Sequence, residues 1–208
     1  MNYWFSNPTP ITPPQLTLLP PPQPSLPNSL EFFTNSNYFR PGLAGLQLYS
    51  QIHHNTVNQV IHGLGMPFVG YAVFGLANLL SSNNRAGLII YLSYFLYYLQ
   101  FDLIGSFYAL LIYLIPLMVS FYDYQIIQFY YPNTTKPSYQ LIKSEYLAFY
   151  VKIFALSILI QEGIGHFCYE RFNSDLYQLP NSISQAPLFG TRALMHNWLN
   201  YPLLPNAN

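Results

Sequence analysis

Apolar residues in this chain come in long runs separated by short polar breaks, the pattern of helices that cross a bilayer rather than of half-wet surface elements. Residues 58–80 are almost uncharged, and their length of 23 exceeds the roughly 20 needed to span a hydrocarbon core as a helix. Asn55 and Thr56 are good N-cap residues, so a first span is predicted to start there and to carry Asn58 and His62 on one face. Residues 81–85 (SSNNR) read as a polar turn. The run 87–121 is too long for one ordinary span and is broken by Gln100, Asp102 and Gly105, which divides it into a short second span to about Leu99 and a third from about Leu103. A long polar loop is expected over 123–145. A fourth span follows over 146–167, with Lys152 near its start, where its side chain can reach the interface.

The flanks differ from this core. Residues 1–40 hold most of the prolines, mixed with Asn, Ser and Thr, and read as a disordered or polyproline-like tail. Downstream, an amphipathic stretch over 188–199 is expected to lie on the membrane surface. The expected fold is all-α: a proline-rich tail (1–40), a bundle of about four transmembrane helices (41–190) and a C-terminal tail (191–208). Four crossings return the chain to the side on which it entered, so the start of the first span and the end of the fourth can meet. Three would separate them. Basic residues divide evenly between the two sides, so the positive-inside rule gives no orientation.

Composition supports the membrane reading. Hydrophobic residues make up 51% and charged residues 7%, against roughly 25% charged in an ordinary soluble domain. The 20 tyrosines and 16 phenylalanines suit bilayer interfaces and interhelical packing. With a formal charge of zero there is no basic patch, and nucleic acid is not an expected partner. A single cysteine, Cys168, excludes an intrachain disulfide and a cysteine-rich zinc site, and reads as a small apolar filler. The N-terminus lacks the basic and apolar regions of a cleaved signal peptide.

Four of the five histidines fall into two polar clusters at the borders of apolar runs, 49–67 (YSQIHHNTVNQVIHGLGMP) and 160–171 (IQEGIGHFCYER). Neutral imidazole binds transition metals well, so these borders are where chemistry is expected. In the second cluster Glu162, His166 and Glu170 recur every four residues, which stacks them along one helical face. That stripe suits a metal site, or a carboxylate that accepts the imidazole proton, or simply a helix end whose polar residues face water. Asn58 suits a contact to ligand or substrate carboxylate, or an interhelical hydrogen bond. Gly65 and Pro67 shape the first helix. Asp102 is expected as a solvated turn residue on the face opposite the histidines, and His196 as a surface residue.

Together the two segments resemble the iron-dependent 2-hydroxy fatty acid dioxygenases of the endoplasmic reticulum, which act in fatty acid alpha-oxidation. The residues that carry the likeness are Tyr49, His53, Asn55, Asn58, His62, Gly65 and Pro67, then Gly165-His166 and Glu170-Arg171 about a hundred residues later, with a further match at Gln185-Ala186-Pro187. It covers residues 43–190. The resemblance implies a multi-pass enzyme of the endoplasmic reticulum membrane that uses Fe2+ and dioxygen to convert a 2-hydroxy fatty acid into the acid one carbon shorter plus carbon dioxide. By position His53, His62 and His166 are the implied iron ligands and His54 a fourth candidate, while Glu170 is a ligand or a second-layer acceptor and, with Asn58, a catalytic candidate. Thr56 stands where the family commonly has proline, Glu162 where it has glutamine, and Phe172 and Asn173 where it has a proline and small residues. The competing expectation is a haem- or ion-binding or transport protein without turnover. A di-iron hydroxylase needs more histidines than the five present.

Overall fold

The computed structural model describes residues 45–47, 50, 53, 55–100, 102–132, 135–170 and 179–203. The proline-rich tail, Tyr49, His54, Arg171, Phe172 and Asn173 lie outside the described residues. The described chain is helical, with helices α1 (Thr56–Ser81), α2 (Ala86–Leu99), α3 (Leu103–Tyr130), α4 (Pro137–Leu159) and α5 (Leu179–Leu199). A π-helical segment, Ile160–Cys168, continues α4. Among the described residues three helices are long and apolar enough to cross a membrane: α1, α3, and α4 with its π continuation. The fourth expected span, α2, has 14 residues, about 21 Å at 1.5 Å per residue, and is short for a full crossing.

Local sequence explains the helix ends. Asn55 caps α1 as expected, its side chain accepting from the backbone N–H groups of Val57 and Asn58. Thr56 is therefore the first helical residue, a position that also suits proline. At the other end Ser82 takes a left-handed conformation and Asn78 Oδ1 accepts the N–H of Gly87 at 2.8 Å, which folds α2 back on α1. Pro137 opens α4, where its missing N–H costs nothing.

Helix α1 is the central element and packs against every other helix. Its contact with α5 depends on facing glycines: a Cβ on Gly63 would lie 3.0 Å from the Gly190 carbonyl and 2.6 Å from the Leu194 side chain. Small residues at that crossing let two backbones approach as membrane helices commonly do. In the other half of the bundle the Asp123 carboxylate accepts from the hydroxyls of Tyr71 at 2.5 Å and Tyr150 at 2.9 Å, tying α1, α3 and α4.

Four expectations are corrected. The region 123–145 is not a loop: α3 runs on to Tyr130 and α4 starts at Pro137, because tyrosines and isoleucines along both helices pack into a second core with Tyr139, Tyr150 and Leu79. Asp102 is buried, caps α3 through Gly105, and forms an ion pair with Arg192. It also lies at the histidine end, since α2 returns the chain there before α3 begins. The stretch 188–199 does not float on a surface, because Leu188, Phe189 and Ala193 are wholly buried against the bundle. Cys168 points outward and is exposed rather than filling a core. His196, by contrast, is exposed as expected.

Two outcomes test this architecture. In a Cys168→Ser background, Asn55→Cys and Tyr169→Cys should react with an impermeant maleimide from one side of sealed vesicles and Lys136→Cys from the other. Removing one partner of the buried pair, by Asp102→Ala, should cost about 3–5 kcal/mol in detergent unfolding, whereas a joint Asp102→Leu, Arg192→Met change should recover much of it.

Candidate metal centre

Three imidazoles from distant parts of the chain meet at the head of α1. His62 is on α1, His53 lies just before the N-cap, and His166 lies on the π segment that ends the last long helix. All three are buried, and one ligand atom from each lies within 4.8 Å of the others. The rings pack edge to face, with centroids 4.4 Å (His53 to His62), 4.7 Å (His53 to His166) and 5.1 Å (His62 to His166) apart. His53 Nε2 faces His62 Nε2 at 3.2 Å, a nitrogen pair that a single proton or a shared cation satisfies. The cluster could hold a metal ion.

Glu170 organises the site. One carboxylate oxygen lies 3.0 Å from His166 Nδ1 and the other accepts the Asn55 backbone N–H at 3.0 Å. A proton on Nδ1, facing that carboxylate, would leave Nε2 of His166 as the ligand atom, an arrangement that raises its basicity. Of the roles expected for Glu170, the outer one fits. His53 is held through its backbone: its carbonyl accepts from Gln59 Nε2 at 3.0 Å, and Gln59 Oε1 accepts from Asn197 on α5 at 3.2 Å. Phe189, its ring centroid 4.9 Å from that of His53, closes the apolar side.

Of the expected stripe of Glu162, His166 and Glu170, the His166–Glu170 half forms and Glu162 departs from it. A π-helix bonds residue i to i+5 and takes more residues per turn than an α-helix, so Gln161 rather than Glu162 shares the buried side with His166. Glu162 is half-buried. Asn58 is completely buried, and among the described residues neither its amide oxygen nor its nitrogen has a hydrogen-bond partner. Gly165 gives it room: a Cβ there would sit 2.1 Å from Asn58 Oδ1. The interhelical hydrogen bond considered for Asn58 is therefore absent among the described residues, which leaves a polar amide beside the imidazoles.

Comparisons with protein-family models, curated proteins and solved structures returned no match. The site is accordingly read on its own geometry. Gln59, Gln161, Asn197 and Phe189 escape sequence reasoning, since nothing in spacing marks them; only a glutamine five residues before His166 hints at Gln161 once the π turn is known.

Equilibrium dialysis against a divalent transition metal should find one ion per chain in the parent and none held stoichiometrically in His62→Ala or His166→Ala. Glu170→Gln should keep the ion with roughly 10–100-fold weaker affinity, the usual effect of removing an imidazole's outer partner.

Proposed function

We propose that this chain is an Fe2+-dependent dioxygenase of the endoplasmic reticulum membrane that shortens 2-hydroxy fatty acids by one carbon. The observation that carries the reading is the convergence of His53, His62 and His166, buried and backed by Glu170, at one end of a bundle of apolar helices. The donor set fits the ion: three neutral nitrogen ligands hold a divalent metal and leave positions for dioxygen and a chelating substrate. A 2-hydroxy acid offers that chelate through its carboxylate and hydroxyl. When bound, Fe2+ supplies the redox chemistry by which dioxygen and the 2-hydroxy acid give the shorter acid, carbon dioxide and water. The bond between carbons 1 and 2 breaks, and the four oxidising equivalents of dioxygen balance the change.

The chain's own residues supply holding and orientation. Asn58, four residues before His62 on the same helical face, offers an amide to the substrate carboxylate, a role that suits a buried polar group with no hydrogen-bond partner among the described residues. Glu170, 3.0 Å from His166 Nδ1, is placed to orient that ring. Phe189 and the surrounding helices exclude water, so charge at the reacting carbons is met by fixed groups rather than solvent.

A haem protein without turnover is the competing reading, and the packing weighs against it. Rings that meet edge to face with centroids 4.4 to 5.1 Å apart suit a point ion, whereas a porphyrin needs a flat slot between its axial ligands.

Protein purified without oxygen and loaded with Fe2+ should consume oxygen with 2-hydroxypalmitate and release the acid one carbon shorter. Asn58→Ala should keep the iron and raise KM about tenfold, the loss of one hydrogen bond to a charged group being about 1.5–3 kcal/mol. Iron binding without oxygen uptake on any 2-hydroxy acid would sink the proposal.

A further inference from the structure

A cavity of about 460 Å³ runs down the bundle from the histidines, and its two ends differ in chemistry. His62, Gln161 and Glu162 line the upper end, and Val73, Phe74 and Ile90 line the lower. His62 and Phe74 lie on one helix, twelve residues apart, so the cavity extends about 18 Å at 1.5 Å per residue. One leaflet of a bilayer's hydrocarbon is roughly 15 Å thick, so this is the length of a membrane-lipid acyl chain.

Between its ends the wall presents carbon. Tyr91, Tyr98 and Tyr113 contribute rings whose hydroxyls are spent on backbone carbonyls: Tyr91 on Leu110 at 2.6 Å, Tyr98 on Ser184 at 2.9 Å and Tyr113 on Pro187 at 3.4 Å. Four tyrosine-rich helical turns thus give an apolar lining. The side of the cavity between α2 and α4 is the gap in the bundle, because these two helices share at most marginal contact although both line it. Phe95 on one flank and Phe154 on the other border that gap.

We infer that this cavity binds one unbranched alkyl chain, carboxyl end toward the histidines and methyl end against Val73, Phe74 and Ile90, admitted sideways from the bilayer between α2 and α4. The inference rests on the proposed function for the head-group end and goes beyond it in assigning the tail, its entry and the residues that measure its length. The occupant is a single-chain acid: among the described lining residues the imidazole, amide and carboxylate groups of His62, Gln161 and Glu162 stand at the upper end, and a volume of about 460 Å³ suits one acyl chain. Each methylene that fits is removed from competition with water, so affinity rises with chain length until the lower wall is met and then stops rising.

The test uses metal-stripped full-length protein in nanodiscs, with a palmitic acid analogue carrying a diazirine near its methyl end. Adducts are expected on Val73, Phe74 or Ile90, displaced by excess palmitic acid. Adducts confined to outward residues such as Ile115 and Met118, or equal labelling of the cavity by a phosphatidylcholine probe, overturn it. Val73→Phe should weaken binding of palmitic acid by about fourfold for each methylene excluded while leaving decanoic acid unchanged. Ile90→Phe narrows the same end from the neighbouring helix and serves if the first variant does not fold. Equal loss for both acids in the folded variants also overturns it. Cavity adducts in a protein that shows no iron-dependent oxygen uptake defeat the dioxygenase reading alone; oxygen uptake with adducts only outside defeats the cavity alone.

Discussion

The carboxylate of Glu170 holds together two places 115 residues apart, accepting the Asn55 backbone N–H with one oxygen and facing His166 Nδ1 with the other. The first contact satisfies a backbone donor at the point where α1 begins, and the second fixes an imidazole at the point where the last long helix ends. The Glu170 side chain is itself buried, where a polar contact is worth more than at an open surface. A chain that enters and leaves the bundle on one side can bring its ends close. This carboxylate then fixes them to within ångströms, and a shared metal site needs that accuracy.

The rest of the bundle is arranged so that the two ends can be fixed. Lipid tails are as apolar as leucine, so membrane helices gain little from burying apolar surface against each other and rely on close packing and polar pairs. Gly63 against Gly190 supplies the close approach of α1 and α5. Asp102 with Arg192 ties the α2–α3 corner to α5, and Arg192 reaches on to the Pro202 carbonyl and the Tyr201 ring. Asp123 with Tyr71 and Tyr150 does the same for the opposite half. The buried pair Asp102–Arg192 and the Asp123 carboxylate lie where helices cross. That placement explains how a chain with so few charged residues still fixes the order of its helices.

The apolar centres of α1 to α4, the α1 cap at Asn55 and the meeting of the two histidine clusters were legible in the sequence, because hydropathy and capping act locally. What escaped was set by tertiary contact. Asp102 reads as a turn residue beside Gln100 until Arg192, 90 residues on, is placed against it. Leu188, Phe189 and Ala193 read as one face of a surface helix, since nothing in the pattern says whether that face meets lipid or protein. Residues 123–130 read as part of a polar loop leading to Pro132 and Pro137, yet Tyr124 and Ile127 are buried against α4 and keep the helix going. The histidine positions were readable from residue type; the role of Glu170 as an outer partner needed coordinates.

The π segment is where spacing and structure part most sharply, and it has a physical use. An α-helical continuation of α4 would place Glu162 and His166 on one face, and so put a second carboxylate next to the metal-binding nitrogens. Winding Ile160–Cys168 as a π-helix rotates His166 relative to the helix before it, so that Gln161, its Nε2 tied to the Ser157 carbonyl, lies on the buried side and Glu162 turns toward the upper end of the cavity. The wider turn costs regular hydrogen bonding, which is why such segments are rare. At Gly165 any larger residue would collide with Asn58, so this glycine of the π segment admits the amide to the site.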